Sequence, residues 1–176
     1  MLAMRFLPYL NECYASPLPL AEIIRRVQER TAAPPEGWRG WLAARPQQPY
    51  LGRVYAAANS FEVQRNISYR NSFLPLIKGT VEVPGGVAAL GQADTGSLVR
   101  LTMRMQLLVS LFMLVWLGGV GLGCLAVSFS WPGPVGLIPF GMLAAGSLMV
   151  SLGFWIEANK AEAFFKALLL LTPTAS

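Results

Sequence analysis

The sequence predicts a membrane α+β protein: a small antiparallel β-meander at a membrane surface, with a transmembrane helical hairpin inserted between its last strand and a C-terminal helix. Three observations predict it. Residues 107–156 contain no Asp, Glu, Lys or Arg, although the chain carries 14 basic and 9 acidic residues. Ahead of that stretch, three segments alternate strictly between apolar and polar residues. Behind it, Glu157 to Leu169 carries a Phe/Leu stripe at helical spacing.

The charge-free block comes first. Charged residues make up 13% of the chain, against about 25% in an ordinary soluble domain, and the deficit is concentrated in this one run. Such a length cannot supply the polar surface of a soluble fold, so a bilayer is the fitting solvent. Leu107–Ser130 reads LLVSLFMLVWLGGVGLGCLAVSFS. About 20 such residues cross the roughly 30 Å hydrocarbon layer at a 1.5 Å rise. Trp131-Pro-Gly-Pro134 cannot continue the helix, and Trp131 suits the headgroup boundary. Val135–Ile156 forms the second span, with Pro139 in its first turn and Trp155 at the opposite boundary.

Charge sets the expected orientation. Twelve of the 14 basic and seven of the nine acidic residues precede residue 107, so the whole net +5 lies there. Arg100 and Arg104 precede the first span, Lys160 and Lys166 follow the second, and the turn between them is uncharged. The positive-inside rule then makes this a two-pass protein with both termini cytoplasmic. The Asn66-Ile-Ser68 sequon would sit on the side where glycosylation does not occur. The basic residues form no run, which argues against nucleic acid and for anionic lipid headgroups or simple cytoplasmic placement. The start of the chain, broken by Pro8, Asn11 and Glu12, lacks the sustained apolar stretch of a signal peptide. Leu10-Asn-Glu-Cys13 has bulky polar residues where a lipoprotein cleavage site needs small ones. Cys13 and Cys124 are placed too differently to imply a disulfide. With no His, neither a zinc site nor any other metal or cofactor site is expected.

Four regions follow: 1–49, an amphipathic helix and Pro-rich linker; 50–105, a cytoplasmic β-rich domain; 106–156, the hairpin; and 157–176, an amphipathic helix and tail. Leu20, Ile23, Ile24 and Val27 lie at i, i+3, i+4 and i+7, which predicts a helix over 19–31. Residues 34–49, with four prolines, read as a linker in which Trp38 and Trp41 are anchors. Phe61 to Tyr69, Ile77 to Val83 and Val99 to Met105 alternate as half-buried strands, and Tyr50–Tyr55 adds a fourth. Turns fall at Ala58-Asn59-Ser60, at Asn71-Ser72 and in the Gly-rich stretch 85–96. The last strand runs straight into the first span. A sheet this small needs cover on its apolar face, which the helices at 19–31 and 157–169 would provide.

Candidate binding residues are cationic. Arg70, Lys78, Arg100 and Arg104 sit on the polar sheet face, where they could meet lipid phosphates or an anionic ligand; the plainer reading is a solvated, orientation-setting face. Arg65 falls among inward-facing residues and so needs a partner, with Glu62, Glu82 or Asp94 as candidates. In the spans, Gly119 and Gly123 form a GxxxG pair and Gly141 and Ala145 a similar step. These either pack the hairpin's two helices together or join it to a homo-oligomeric or other membrane partner. The spans contain no Asp, Glu, Lys, Arg or His, which disfavours ion coupling. No His is present to activate a nucleophile, and the carboxylates are scattered.

The run Tyr69-Arg-Asn-Ser-Phe-Leu-Pro75, with Val99-Arg-Leu-Thr-Met-Arg104 and Trp116-Leu-Gly-Gly-Val120, resembles a group of small bacterial two-helix membrane proteins. That resemblance covers residues 50–120 and implies a bacterial inner-membrane setting; it brings no catalytic residue. The functional expectation is therefore a non-enzymatic inner-membrane protein, its module held at the lipid surface for protein or lipid interaction. The alternatives are a ligand-responsive oligomeric pore or effector subunit, and an interfacial lipid-modifying enzyme using Glu62 or Glu82.

Overall fold

The computed structural model of the chain describes residues 7–34, 46–69, 71–84, 96–130 and 137–174. In chain order these form β1 (Tyr9–Ser16), α1 (Leu20–Glu29), β2 (Thr31–Ala32), β3 (Tyr50–Tyr55), β4 (Ser60–Arg65), β5 (Leu76–Glu82), β6 (Ser97–Arg104), α2 (Leu107–Ser130), α3 (Ile138–Leu169) and β7 (Thr172–Pro173). All seven strands join one sheet in the order β2-β3-β4-β5-β6-β1-β7. The α+β class stands. From β3 to β6 the sheet is the expected meander, each neighbour antiparallel to the last.

Three expectations need correction. The sheet is mixed, because β2 joins β3 in parallel. β4 ends at Arg65 instead of continuing to Tyr69, because the residues that follow turn away to dock on α3. Most consequentially, the region expected to hold an amphipathic helix and a linker also contributes a strand of the sheet, β1. β1 is an inner strand, paired along its whole length with β6 and at its far end with β7. Its covered face presents Leu10, Glu12, Tyr14 and Ser16 opposite Met103, Leu101, Val99 and Ser97. Two of those four are polar, so alternation does not reveal the strand. Ser16 is buried and Glu12 half-buried, and each finds a partner: the Tyr14 hydroxyl donates to Glu12 at 2.7 Å, and Ser16 Oγ donates to the Leu169 carbonyl at 2.6 Å.

The core lies on one face of the sheet. Phe61, Val63, Ile77, Val99, Leu101 and Met103 project from the strands onto Ile23, Ile24 and Val27 of α1 and onto Phe154, Ala158, Ala161, Phe165 and Leu169 of α3. Phe165 stacks on Phe61 with ring centroids 5.5 Å apart and lies 5.1 Å from Tyr50. Gly79 makes room for this, since a Cβ there would stand 2.0 Å from Phe61 Cζ. Each large side chain fully buried contributes on the order of 1.5–3 kcal/mol.

α2 and α3 are both long and apolar enough to cross a membrane. α3 is one unbroken helix of 32 residues, with Pro139 in its first turn as expected, so the expected second span and C-terminal helix are a single rod. It stops at Leu170, whose φ of 53° is left-handed. Its last carbonyls are satisfied from outside the helix: Arg26 Nη1 donates to Leu168 O at 3.0 Å and Ser16 to Leu169 O. α2 and α3 pack through Trp116, whose ring covers Gly146 so closely that a Cβ would lie 2.3 Å from Cζ3. Gly119, Gly123 and Gly141 have no atom within 4 Å of a Cβ position, and Ala145 is exposed. The small-residue steps therefore do not pack the two helices on each other. A large ring of one helix filling one glycine gap of the other does so.

Candidate functional site

The uncovered face of the sheet carries the predicted cations in ordered rows. Across the strands, Arg53, Glu62, Lys78, Thr102 and Asn11 are neighbours in register, and so are Leu51, Gln64, Leu76, Arg104 and Tyr9. Lys78, Arg100 and Arg104 are all exposed. Among the described residues none of the three side chains makes a hydrogen bond or an ion pair within 4 Å. Arg70 lies outside the described residues, as do Asp94, Trp38, Trp41 and the Trp131 turn. Arg104 ends β6, three residues before α2 begins. Arg100 is four residues back along the strand, about 13 Å from it at 3.3 Å per residue. Glu62 and Glu82 are not brought together. Glu62 faces Lys78 in register, and Glu82 lies four residues further along β5, again about 13 Å away.

Two open recesses flank this face. One, of about 520 Å³, lies where β1, β5 and β6 meet the start of α2, and is lined by Pro8, Tyr9, Leu76, Arg104, Gln106 and Leu107, with Met105 and Ser110. The other, of about 490 Å³, lies beside β3 and includes Leu51, Arg53, Tyr55 and Glu62. Tyr9, Leu107 and Leu108 are among the most exposed large side chains beside the first recess.

Arg65 is on the covered face, and its partner is none of the three proposed. Glu157 of α3, 1% exposed, takes its Nη1 at 2.5 Å, Lys160 Nζ at 2.9 Å and the Tyr69 hydroxyl. Burial alone would raise the Glu157 pKa, but hydrogen bonds from Tyr69, Lys160 and Arg65 outweigh it and hold the carboxyl below its ordinary range. The same bonds raise the Tyr69 and Lys160 values. Glu157 was overlooked as a partner because it is 92 residues away in sequence. The run after β4 completes the joint. Asn71 Nδ2 donates to the Gly153 carbonyl at 3.1 Å, and Asn71 Oδ1 accepts from the Phe73 amide at 3.0 Å. The Phe73 ring lies where a Gly153 side chain would be. Tyr69, Asn71 and Phe73, within the run singled out by resemblance, thus clamp the sheet to α3.

A second polar joint ties α3 to β1. The Tyr14 hydroxyl lies 2.8 Å from Glu162 Oε1 as well as 2.7 Å from Glu12; one phenolic proton can serve only one of them at a time. Lys166 bonds Glu162 at 2.6 Å and sits 5.1 Å from the centre of the Tyr14 ring. Burial, and then the hydrogen bonds to the two carboxylates, push the Tyr14 pKa up. Sequence reasoning missed Glu12, Tyr14, Glu157 and Glu162. The one available signal was that an inward-facing Arg65 required a carboxylate. No family model, curated protein or solved structure matches this chain.

Proposed function

We propose that the chain is a two-pass protein of a bacterial inner membrane, in which the hairpin holds a non-enzymatic β-rich interaction module at the cytoplasmic surface. The observation that carries this is the unbroken course of α3. Its first half exposes apolar side chains, and its second half is buried in the core of the sheet. The module is therefore built onto the hairpin and is not tethered to it by a flexible link. Arg100, Arg104, Lys160 and Lys166 flanking the spans support cytoplasmic termini, and the resemblance of residues 69–75 supports the bacterial setting. From Ile156 to Leu169 the helix rises about 20 Å. The sheet packed along it stands away from the lipid, with only its near rim at headgroup depth. Arg100 and Lys78 then face water, where a protein partner would engage the open face.

Alkaline carbonate extraction tests the membrane placement: the chain should stay in the pellet, and release into the supernatant overturns the reading. A photo-crosslinking residue at Thr102, on the open face, should capture a protein in native membranes, whereas one at buried Ala161 should not. A second reading, hairpins assembling into a homo-oligomeric pore or effector, draws on the outward placement of Gly119, Gly123, Gly141 and Ala145. Native mass spectrometry in nanodiscs decides it, because a strict monomer that conducts no ions sinks it.

A further inference from the structure

We propose that the recess at the β6–α2 junction binds the phosphate of an anionic phospholipid, with Arg104 as its counter-ion. This rests on the membrane placement above and adds to it a defined site. The recess of about 520 Å³ joins two unlike surfaces. Its polar lining includes Arg104, Gln106 and Tyr9, and its apolar lining includes Leu76 and Leu107. Arg104 has no partner among the described residues, so its five donors are available to a phosphate. Below the recess the exposed face of α2 continues through Leu108 and Leu111, which are 79% and 50% exposed. A soluble anion would use the cation and leave that apolar surface bare. An anionic amphiphile uses both, its phosphate at Arg104 and its acyl chains along α2. Arg100 provides the internal contrast, being equally unpaired and on the same face, but about 13 Å up the strand and outside the recess.

The test counts lipids retained by the full-length protein, by native mass spectrometry, after titration with phosphatidylglycerol or phosphatidylcholine of identical chains. The wild type should favour phosphatidylglycerol by about fivefold, the scale expected of one cation at a membrane surface. Arg104→Gln should abolish the preference, Arg104→Lys should restore part of it, and Arg100→Gln should leave it intact. Because Arg104 has no bond within the described chain, Arg104→Gln should also melt at the wild-type temperature, so the loss cannot be attributed to misfolding. The proposal is overturned if Arg104→Gln keeps the preference. It is equally overturned if Arg100→Gln removes as much, which would mean a diffuse field, or if millimolar inorganic phosphate displaces the lipid, which would mean a soluble-anion site. Failure of the membrane placement itself would appear separately, as release by carbonate.

Discussion

The two halves of α3 share one helix axis and have opposite surroundings. In the first half Leu148, Met149, Leu152 and Ile156 are all more than half exposed; in the second, Ala158, Ala161, Phe165 and Leu169 are buried. The first half places apolar residues on every side. The second separates a Phe/Leu stripe from Lys160, Glu162 and Lys166, as a helix between a core and water does. The change falls at Glu157, the first charged residue after a run of 52 without one. One continuous helix thus carries an exposed apolar half and a half buried against the sheet.

The largest expected effect contrasts the two halves directly. Phe165→Ala removes a ring stacked on Phe61 and should cost about 3–5 kcal/mol, whereas Leu148→Ala should stay within about 0.5 kcal/mol, as an exposed change does; thermal unfolding in detergent reads both. Equal losses would break the contrast. Next is the residue at the change itself. Glu157→Ala leaves Arg65 without its partner and should cost on the order of 3 kcal/mol, near the low end for a broken buried pair because Arg65 is partly exposed. Its folded pKa lies below the ordinary 4.5. It therefore contributes stability fully above that pH, and the contribution is lost as pH falls through the depressed value. Wild type should lose melting temperature on acidification more steeply than Glu157→Gln.

Smaller effects sharpen the comparison within the hairpin. Gly146→Leu drives a side chain into the Trp116 ring and should cost about 1–3 kcal/mol by overpacking, while Gly141→Leu, with open space around it, should be tolerated; thermal midpoints of the pair decide. The smallest is Asn71→Ala, which deletes a side-chain bond to Gly153 and a turn bond, for about 1 kcal/mol. Faster proteolysis between Asn66 and Pro75, with the core stability nearly unchanged, is the expected signature.

Much of the architecture was legible because it rests on local periodicity. α1, the four meander strands and the first apolar helix each announce themselves through spacing of 3.6 or 2. Arg65 was legible as a residue needing a partner, since a charge among apolar neighbours cannot stay unpaired. β1 was not legible, because polar Glu12 and Ser16 occupy its covered face, and Tyr14 and Ser16 find partners in Glu162 and Leu169, some 150 positions later. The role of Tyr69 to Pro75 was hidden for the same reason. A strand and a docking loop look alike until their partner is known.

By itself, the sequence determined the two apolar rods, the charge asymmetry about them, the periods of the meander and the cation-bearing face. All of these depend on which residues neighbour one another along the chain. Only the tertiary structure decided that the N-terminal segment is an inner strand, that Glu157 is the hub joining sheet and helix, and that a recess forms beside Arg104. Each of those depends on contacts between distant segments, and a buried polar residue records in its own identity only that it needs a partner. Which partner it finds is settled when the chain closes.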